Sequence, residues 1–114
     1  MRKKKVLPEN YLEKIPVRNA DIVWSADENG AVTLEIENKG VFNKIAQKLF
    51  KKPKVSYIHF DELGSFVWQI IDAEKTIIDI GKEVEEQFKE TANPLYERLA
   101  EYFRILDSYG FVKL

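Results

Sequence analysis

The chain has no cysteine, a single histidine and a single methionine in 114 residues. Without cysteine there can be no disulfide, thiolate zinc site, iron–sulfur cluster or cysteine nucleophile, a composition that fits a reducing cytoplasm. Apolar runs are only a few residues long, too short to span a bilayer. A glycine-rich phosphate loop and a GxSxG nucleophile elbow are both missing. The start, MRKKKVLPENYLEK, is basic but has no apolar stretch behind it, which excludes a secretory signal. Residues 1–16 are therefore expected to form a flexible solvated tail ahead of one domain over residues 17–114.

What is present is an ordinary globular balance, 45% hydrophobic and 32% charged, too apolar for a disordered chain. Net charge is −1 but unevenly spread. Lys39 to Lys54 carries six lysines and no acid, whereas Asp61 to Glu90 carries nine acids and three lysines. Each run is read either as a surface that selects partners by charge or as a solvated helix face.

Two strand-like runs flank Asn29-Gly30, a strong hairpin signal, and in the second Val32, Leu34 and Ile36 alternate with polar residues. In residues 39–54 Phe42, Ile45, Leu49 and Phe50 fall at helical spacing opposite lysines, which predicts a short basic amphipathic helix ended by Pro53. Val55–Phe60 reads as a third strand, with Ile58 and Phe60 on one face and Val55, Tyr57 and His59 on the other.

Asp61 is placed to cap a helix whose stripe is Leu63, Phe66, Val67, Ile70 and Ile71, leaving Trp68 to find a different neighbour such as the hairpin. Thr76 with Asp79 predicts a capping box for the next helix, striped by Ile77, Ile80, Val84 and Phe88. Asn93-Pro94 predicts a cap and a first-turn proline for the last helix, which should run to about Tyr109 and stop at Gly110. Phe111–Leu114 is expected as a short closing strand or extended end. The order predicts an α+β fold of winged-helix type: a small antiparallel three-stranded sheet packed on a three-helix bundle, with the extra amphipathic helix between strands two and three.

His59-Phe60-Asp61-Glu62 is the one cluster with catalytic or metal-binding potential. His59 and Asp61 share a side, but a metal wants three or four ligands, and no serine or threonine nucleophile stands beside His59. A winged helix also raises DNA or RNA binding. Against it, the helix around residues 76–90 presents Asp79, Glu83, Glu85, Glu86 and Glu90, which phosphates would repel. On the last helix the apolar residues from Leu95 to Tyr109 cover roughly half the circumference, more than packing requires. The surplus edge at Tyr102, Ile105 and Tyr109 is a candidate partner surface.

The stretch GSFVWQIIDAEKTIIDI resembles the central signature of the PqqD family, small peptide chaperones named for pyrroloquinoline quinone biosynthesis. The family's places are taken by Gly64-Ser65, Val67-Trp68, Ile70-Ile71, Asp72-Ala73, Thr76 and Ile80. The ending Leu-Asp-Ser-Tyr-Gly-Phe-Val at residues 106–112 is similar to the family's terminus. Ala73 departs from it by replacing the turn glycine, and the basic 39–54 insert is longer than the family's connection.

The resemblance implies a non-enzymatic protein without cofactor that binds the leader of a precursor peptide. It would present that leader to a modifying enzyme, often a radical SAM maturase. The leader would add as a strand to the third strand, at Val55, Ser56, Tyr57, Ile58, His59 and Phe60. Arg98, Tyr102, Ile105 and Tyr109 of the last helix would line the groove. Neither a membrane nor nucleic acid is an expected partner, and the chain is expected to be a monomer or weak dimer.

Overall fold

A computed structural model of the protein describes residues 11–37 and 55–114, so the predicted amphipathic helix at 39–54 lies outside the described residues. Two small antiparallel sheets and three helices make an α+β fold. Strands β1 (Val17–Arg18) and β5 (Val112–Lys113) form one sheet. Strands β2 (Val23–Ala26), β3 (Val32–Glu37) and β4 (Val55–His59) form the other, in the order β2-β3-β4. Helices α1 (Glu62–Ile70), α2 (Ile77–Phe88) and α3 (Leu95–Ser108) follow β4, with a 3-10 turn at Lys89–Ala92 before α3.

The hairpin forms around Asn29-Gly30, as expected. Its turn is closed by Gly30 N–H on Asp27 O, while the Asp27 carboxylate accepts from Asn29 and Ala31 N–H. Gly30 sits at φ +85°, the left-handed residue that lets such a turn rejoin the ladder.

On the inner face, Trp24, Leu34 and Ile58 lie side by side across the three strands. Val32 and Leu34 are fully buried against Val67, Trp68, Ile71, Ile77, Ile80, Val84, Leu99 and Phe103.

Burial on α1 is rotated from the predicted stripe. Gly64, Ser65, Val67 and Trp68 are buried, whereas Leu63, Phe66 and Ile70 are only half-buried. The helix is covered on two sides, and Trp68, expected off the stripe, sits at the centre. Its ring meets Trp24 of the hairpin edge-on at 6.2 Å and Phe60 at 5.7 Å. Arg18 stands over both tryptophans and donates to Trp68 O, tying β1 to the end of α1.

The capping box at Thr76 and Asp79 is present as predicted. At α3 the expectation is corrected. Pro94 is the cap position rather than the first helical residue, and Asn93 makes no capping bond with its side chain. Arg98 N–H already takes Pro94 O, so the helix opens one residue later than the motif suggests. At the other end Tyr109 caps and Gly110 turns at φ +80°.

Part of the stretch expected as a tail is packed. Tyr11–Glu13 is a 3-10 turn, Pro16 is buried, Lys14 O accepts from Ile77 N–H, and Tyr11 Oη reaches Ala100 O. Pairing of β1 with β5 holds this end against α2 and α3, a contact that two isolated residues could not announce in sequence.

Candidate functional site

Strand β4 lies at the edge of its sheet, and its register decides what that edge offers. Phe60 N–H donates to Val32 O, and β3 pairs with β4 at Leu34 with Ile58 and Ile36 with Ser56. Antiparallel ladders alternate hydrogen-bonded and open pairs, so the N–H and C=O groups of Ser56, Ile58 and Phe60 turn toward β3. Those of Val55, Tyr57 and His59 then turn away from β3, toward the outer edge. The partner side of β3 agrees: Asp27 N–H on Ala31 O sets the odd-numbered residues of β3 against β2. Among the described residues no strand pairs with the outer side of β4.

The side chains of β4 divide as the alternation predicted. Ile58 and Phe60 are half-buried on the inner face, while Val55, Tyr57 and His59 are exposed, Tyr57 at 59%. His59 Nδ1 and Thr33 Oγ1 lie 2.9 Å apart and share a hydrogen bond across an open pair. That partner gives the only histidine a structural tie to β3. Among the described residues there is no group of three or more potential metal ligands.

The strand ends in a crossing that the sequence could not specify. Ser65 Oγ, buried at the second turn of α1, accepts from Val32 N–H at 2.8 Å and donates to Phe60 O at 3.4 Å. It replaces the direct ladder bond at the point where β4 leaves the sheet. Asp61 then caps α1 by accepting from Gly64 N–H at 2.7 Å, as expected.

Helix α3 meets this end through Tyr102. Its ring packs 5.9 Å from Phe60, and its hydroxyl donates to Gly64 O at 2.8 Å. Burial, with the Asp61 carboxylate nearby, pushes the phenol pKa far above its ordinary value, so the hydroxyl stays a donor. A Cβ at Gly64 would lie 3.0 Å from Asp61 Oδ1 and 3.2 Å from the Tyr102 ring. The small pair Gly64-Ser65 thus has two separate reasons: room for Tyr102, and the bridge to the ladder.

Along α3, Arg98, Tyr102, Ile105 and Tyr109 fall within an arc of about 60° on ideal helical spacing. Ile105 is 40% exposed and Tyr109 69%, so the surplus apolar edge is left uncovered by the core. Arg98 is half-buried and donates to Thr91 O. With Tyr102, Asp61, Leu63 and Gly64 it lines a cleft of about 420 Å³ between the starts of α1 and α3. The structure therefore joins Tyr102 and Arg98 around one cleft, with the Phe60 ring packed on Tyr102, and leaves Ile105 and Tyr109 exposed further along the same helix. Asp61 was legible only as a cap, and its place in the cleft wall follows from the packing of α3.

The signature turn is also explained. Ala73, which stands where the family has glycine, adopts φ +65°. The Asp72 carboxylate accepts from Glu74 and Lys75 N–H and pairs with Lys75 Nζ at 2.8 Å, holding the turn closed around it.

In form this is a small α+β binding domain, with a strand edge and a flanking helix stripe as its candidate surface. The family model for coenzyme PQQ synthesis protein D matches residues 30–112, and the chain belongs to that PqqD family. The match takes in the second arm of the hairpin as well as the signature. Membership makes it an accessory protein of peptide modification, of the kind that binds a precursor peptide alongside a modifying enzyme. No curated protein and no solved structure matches the chain. Among the described residues no helix is long and apolar enough to cross a membrane.

Proposed function

We propose that this protein captures the leader of a ribosomally made precursor peptide by strand addition and presents it, in the cytoplasm, to a radical SAM enzyme. The carrying observation is the register of β4, which aims the backbone groups of Val55, Tyr57 and His59 at an edge that no other described strand pairs. Main-chain bonds made there bind an extended peptide largely independently of its sequence. Selectivity then comes from Arg98, Tyr102, Ile105 and Tyr109, a stripe in which tyrosines give contact area at low entropic cost. The helices and sheet act as a winged-helix scaffold turned to peptide recognition, and no residue of the domain has a catalytic role.

The test is a titration of the whole chain with the leader segment of a short precursor encoded beside it, followed by backbone amide NMR. Val55, Tyr57 and His59 are expected to shift and gain exchange protection together, with Ile105 and Tyr109 moving alongside. Shifts confined to other parts of the domain would overturn the site.

A further inference from the structure

We infer that the cleft between the hairpin turn, the first turns of α1 and the end of α2 is a docking site for a second protein, taking an arginine side chain of the modifying enzyme. The choice of partner rests on the presentation step proposed above; the cleft and its chemistry do not.

The cleft holds about 430 Å³. Its apolar walls include Phe66 and Phe88, two half-buried rings that meet edge to face at 5.4 Å. Its polar groups are acceptors. Asp61 gives one oxygen to Gly64 N–H, while the Glu62 and Gln87 side chains are exposed and bond to no other described residue. Gln69 donates its amide N–H groups to Gly30 O and Ser65 O, which leaves its amide oxygen to accept. Among the described residues no lysine, arginine or histidine borders the cleft; Lys89 follows Phe88 without lining it. The negative end of α2 adds to this potential, and the positive start of α1 is answered by Asp61.

Such walls select a cation that is also flat. A guanidinium stacks on aromatic rings and offers its N–H donors as a fixed fork to carboxylate and amide oxygens, whereas an ammonium is a strongly hydrated point charge. An anion would meet no positive side chain. A bare metal would meet no group of three or more ligands among the described residues.

Position decides the partner. On ideal helical spacing Glu62, Phe66 and Gln69 share a face of α1 roughly 150° away from Leu63 and Gly64, which border the cleft beside α3. Asp61 alone borders both. A leader held along α3 therefore leaves this second cleft to a different protein, and the protein that must meet the loaded domain is the enzyme. The undescribed stretches join the domain elsewhere. Glu37 and Val55 pair at the far end of β3 and β4 from the hairpin turn, and Lys14 O accepts at the start of α2, whereas the cleft lies at its end.

N-acetyl-arginine methylamide, titrated into the whole chain and followed by NMR, tests the cleft. The side-chain amides of Gln69 and Gln87 and the backbone amides of Phe66 and Phe88 should shift together. The dissociation constant should be on the order of 1–10 mM, as befits a single side chain. The lysine analogue and the neutral citrulline analogue should each bind at least threefold more weakly. Glu62→Gln should weaken the arginine probe about threefold and Gln87→Glu should strengthen it about threefold, both at the wild-type melting temperature. The enzyme encoded beside this protein, added to the leader-loaded chain, should protect the same amides. Glu62→Arg should cut its affinity at least tenfold and leave leader binding unchanged.

Equal shifts at Glu83 and Glu97, outside the cleft, would mark the probe as adventitious and overturn the site. Lysine or citrulline analogues that bind as well as arginine would overturn the guanidinium assignment. An enzyme indifferent to Glu62→Arg, or a leader that displaces the arginine probe, would overturn the docking role. A leader bound along α3 beside a cleft silent to arginine would sink this inference alone. A chain that binds probe and enzyme in the cleft but no leader would instead remove the strand-addition reading and leave the docking site standing.

Discussion

Ala73→Gly should stabilise the protein, against the usual direction for a change to glycine. Ala73 sits at φ +65°, where an L-residue with a Cβ is held at a cost of roughly 1–2 kcal/mol relative to glycine. The turn cannot relax around it, because Asp72 is bonded on one side to Glu74 and Lys75 N–H and Lys75 Nζ. Ala73 is exposed, so removing its methyl forfeits no packing. Glycine returns the strain but adds unfolded-state freedom worth about 0.4–1 kcal/mol. The net expectation is a gain of roughly 0.5–1 kcal/mol. Urea unfolding followed by the fluorescence of Trp24 and Trp68 should place the midpoint about 0.3–0.5 M higher, with an unchanged slope. Ala73→Val, β-branched at the same φ, should lose at least 1 kcal/mol in the same assay. A glycine variant less stable than wild type, together with a harmless valine, would refute the argument that Ala73 carries strain.

Ser65→Ala should cost about 1–3 kcal/mol, since it leaves the buried Val32 N–H without its acceptor; denaturant unfolding reads the loss, and amide exchange should speed up at Val32 and Phe60. Gly81→Ala should cost about 1–3 kcal/mol, because the new Cβ would lie 2.5 Å from the Tyr96 ring. In a Tyr96→Ala background the clash is gone and the same change should stabilise by about 0.5–1 kcal/mol, as alanine does over glycine inside a helix, a coupling that a double-mutant cycle measures. The Lys75 ammonium, followed by the backbone N–H groups of Lys75 and Glu74, lowers the Asp72 pKa to about 2. A folded value below the unfolded one contributes stability that is full above about pH 4 and fades as pH falls through about 2. The stability gap between wild type and Asp72→Ala should therefore be open at pH 6 and narrowed near pH 2, by denaturant titration at each pH.

Most of the fold was legible because its signals were local. The Asn29-Gly30 hairpin, the Asp61 cap and the Thr76–Asp79 box each depend on residues within five positions, and each formed as read. What failed depended on neighbours distant in sequence. The stripe of Leu63, Phe66 and Ile70 is only half-buried because a stripe assumes one covered side, whereas α1 is covered by the hairpin, which Trp68 meets at Trp24 as read, and by the other helices together. The Trp68 indole N–H is buried and finds no hydrogen-bond partner among the described residues. Strand β5 formed where a closing strand was read, but its partner β1 has two residues and no periodicity to detect.

The site was legible in composition but not in geometry. Alternation told which side chains of Val55–Phe60 face outward, yet alternation of side chains says nothing about which backbone groups are spent. That depends on the register against β3, fixed at one end by Phe60 N–H on Val32 O and by the Ser65 hydroxyl wedged where the next bond would be. A slip of one residue would turn Ser56 and Ile58 to the edge and send Tyr57 and His59 into the ladder. Ser65 therefore sets the phase of the edge from beneath it, without lying on it. The histidine that first looked reactive is held by Thr33 on the outer face, and its backbone, more than its imidazole, is what the edge presents.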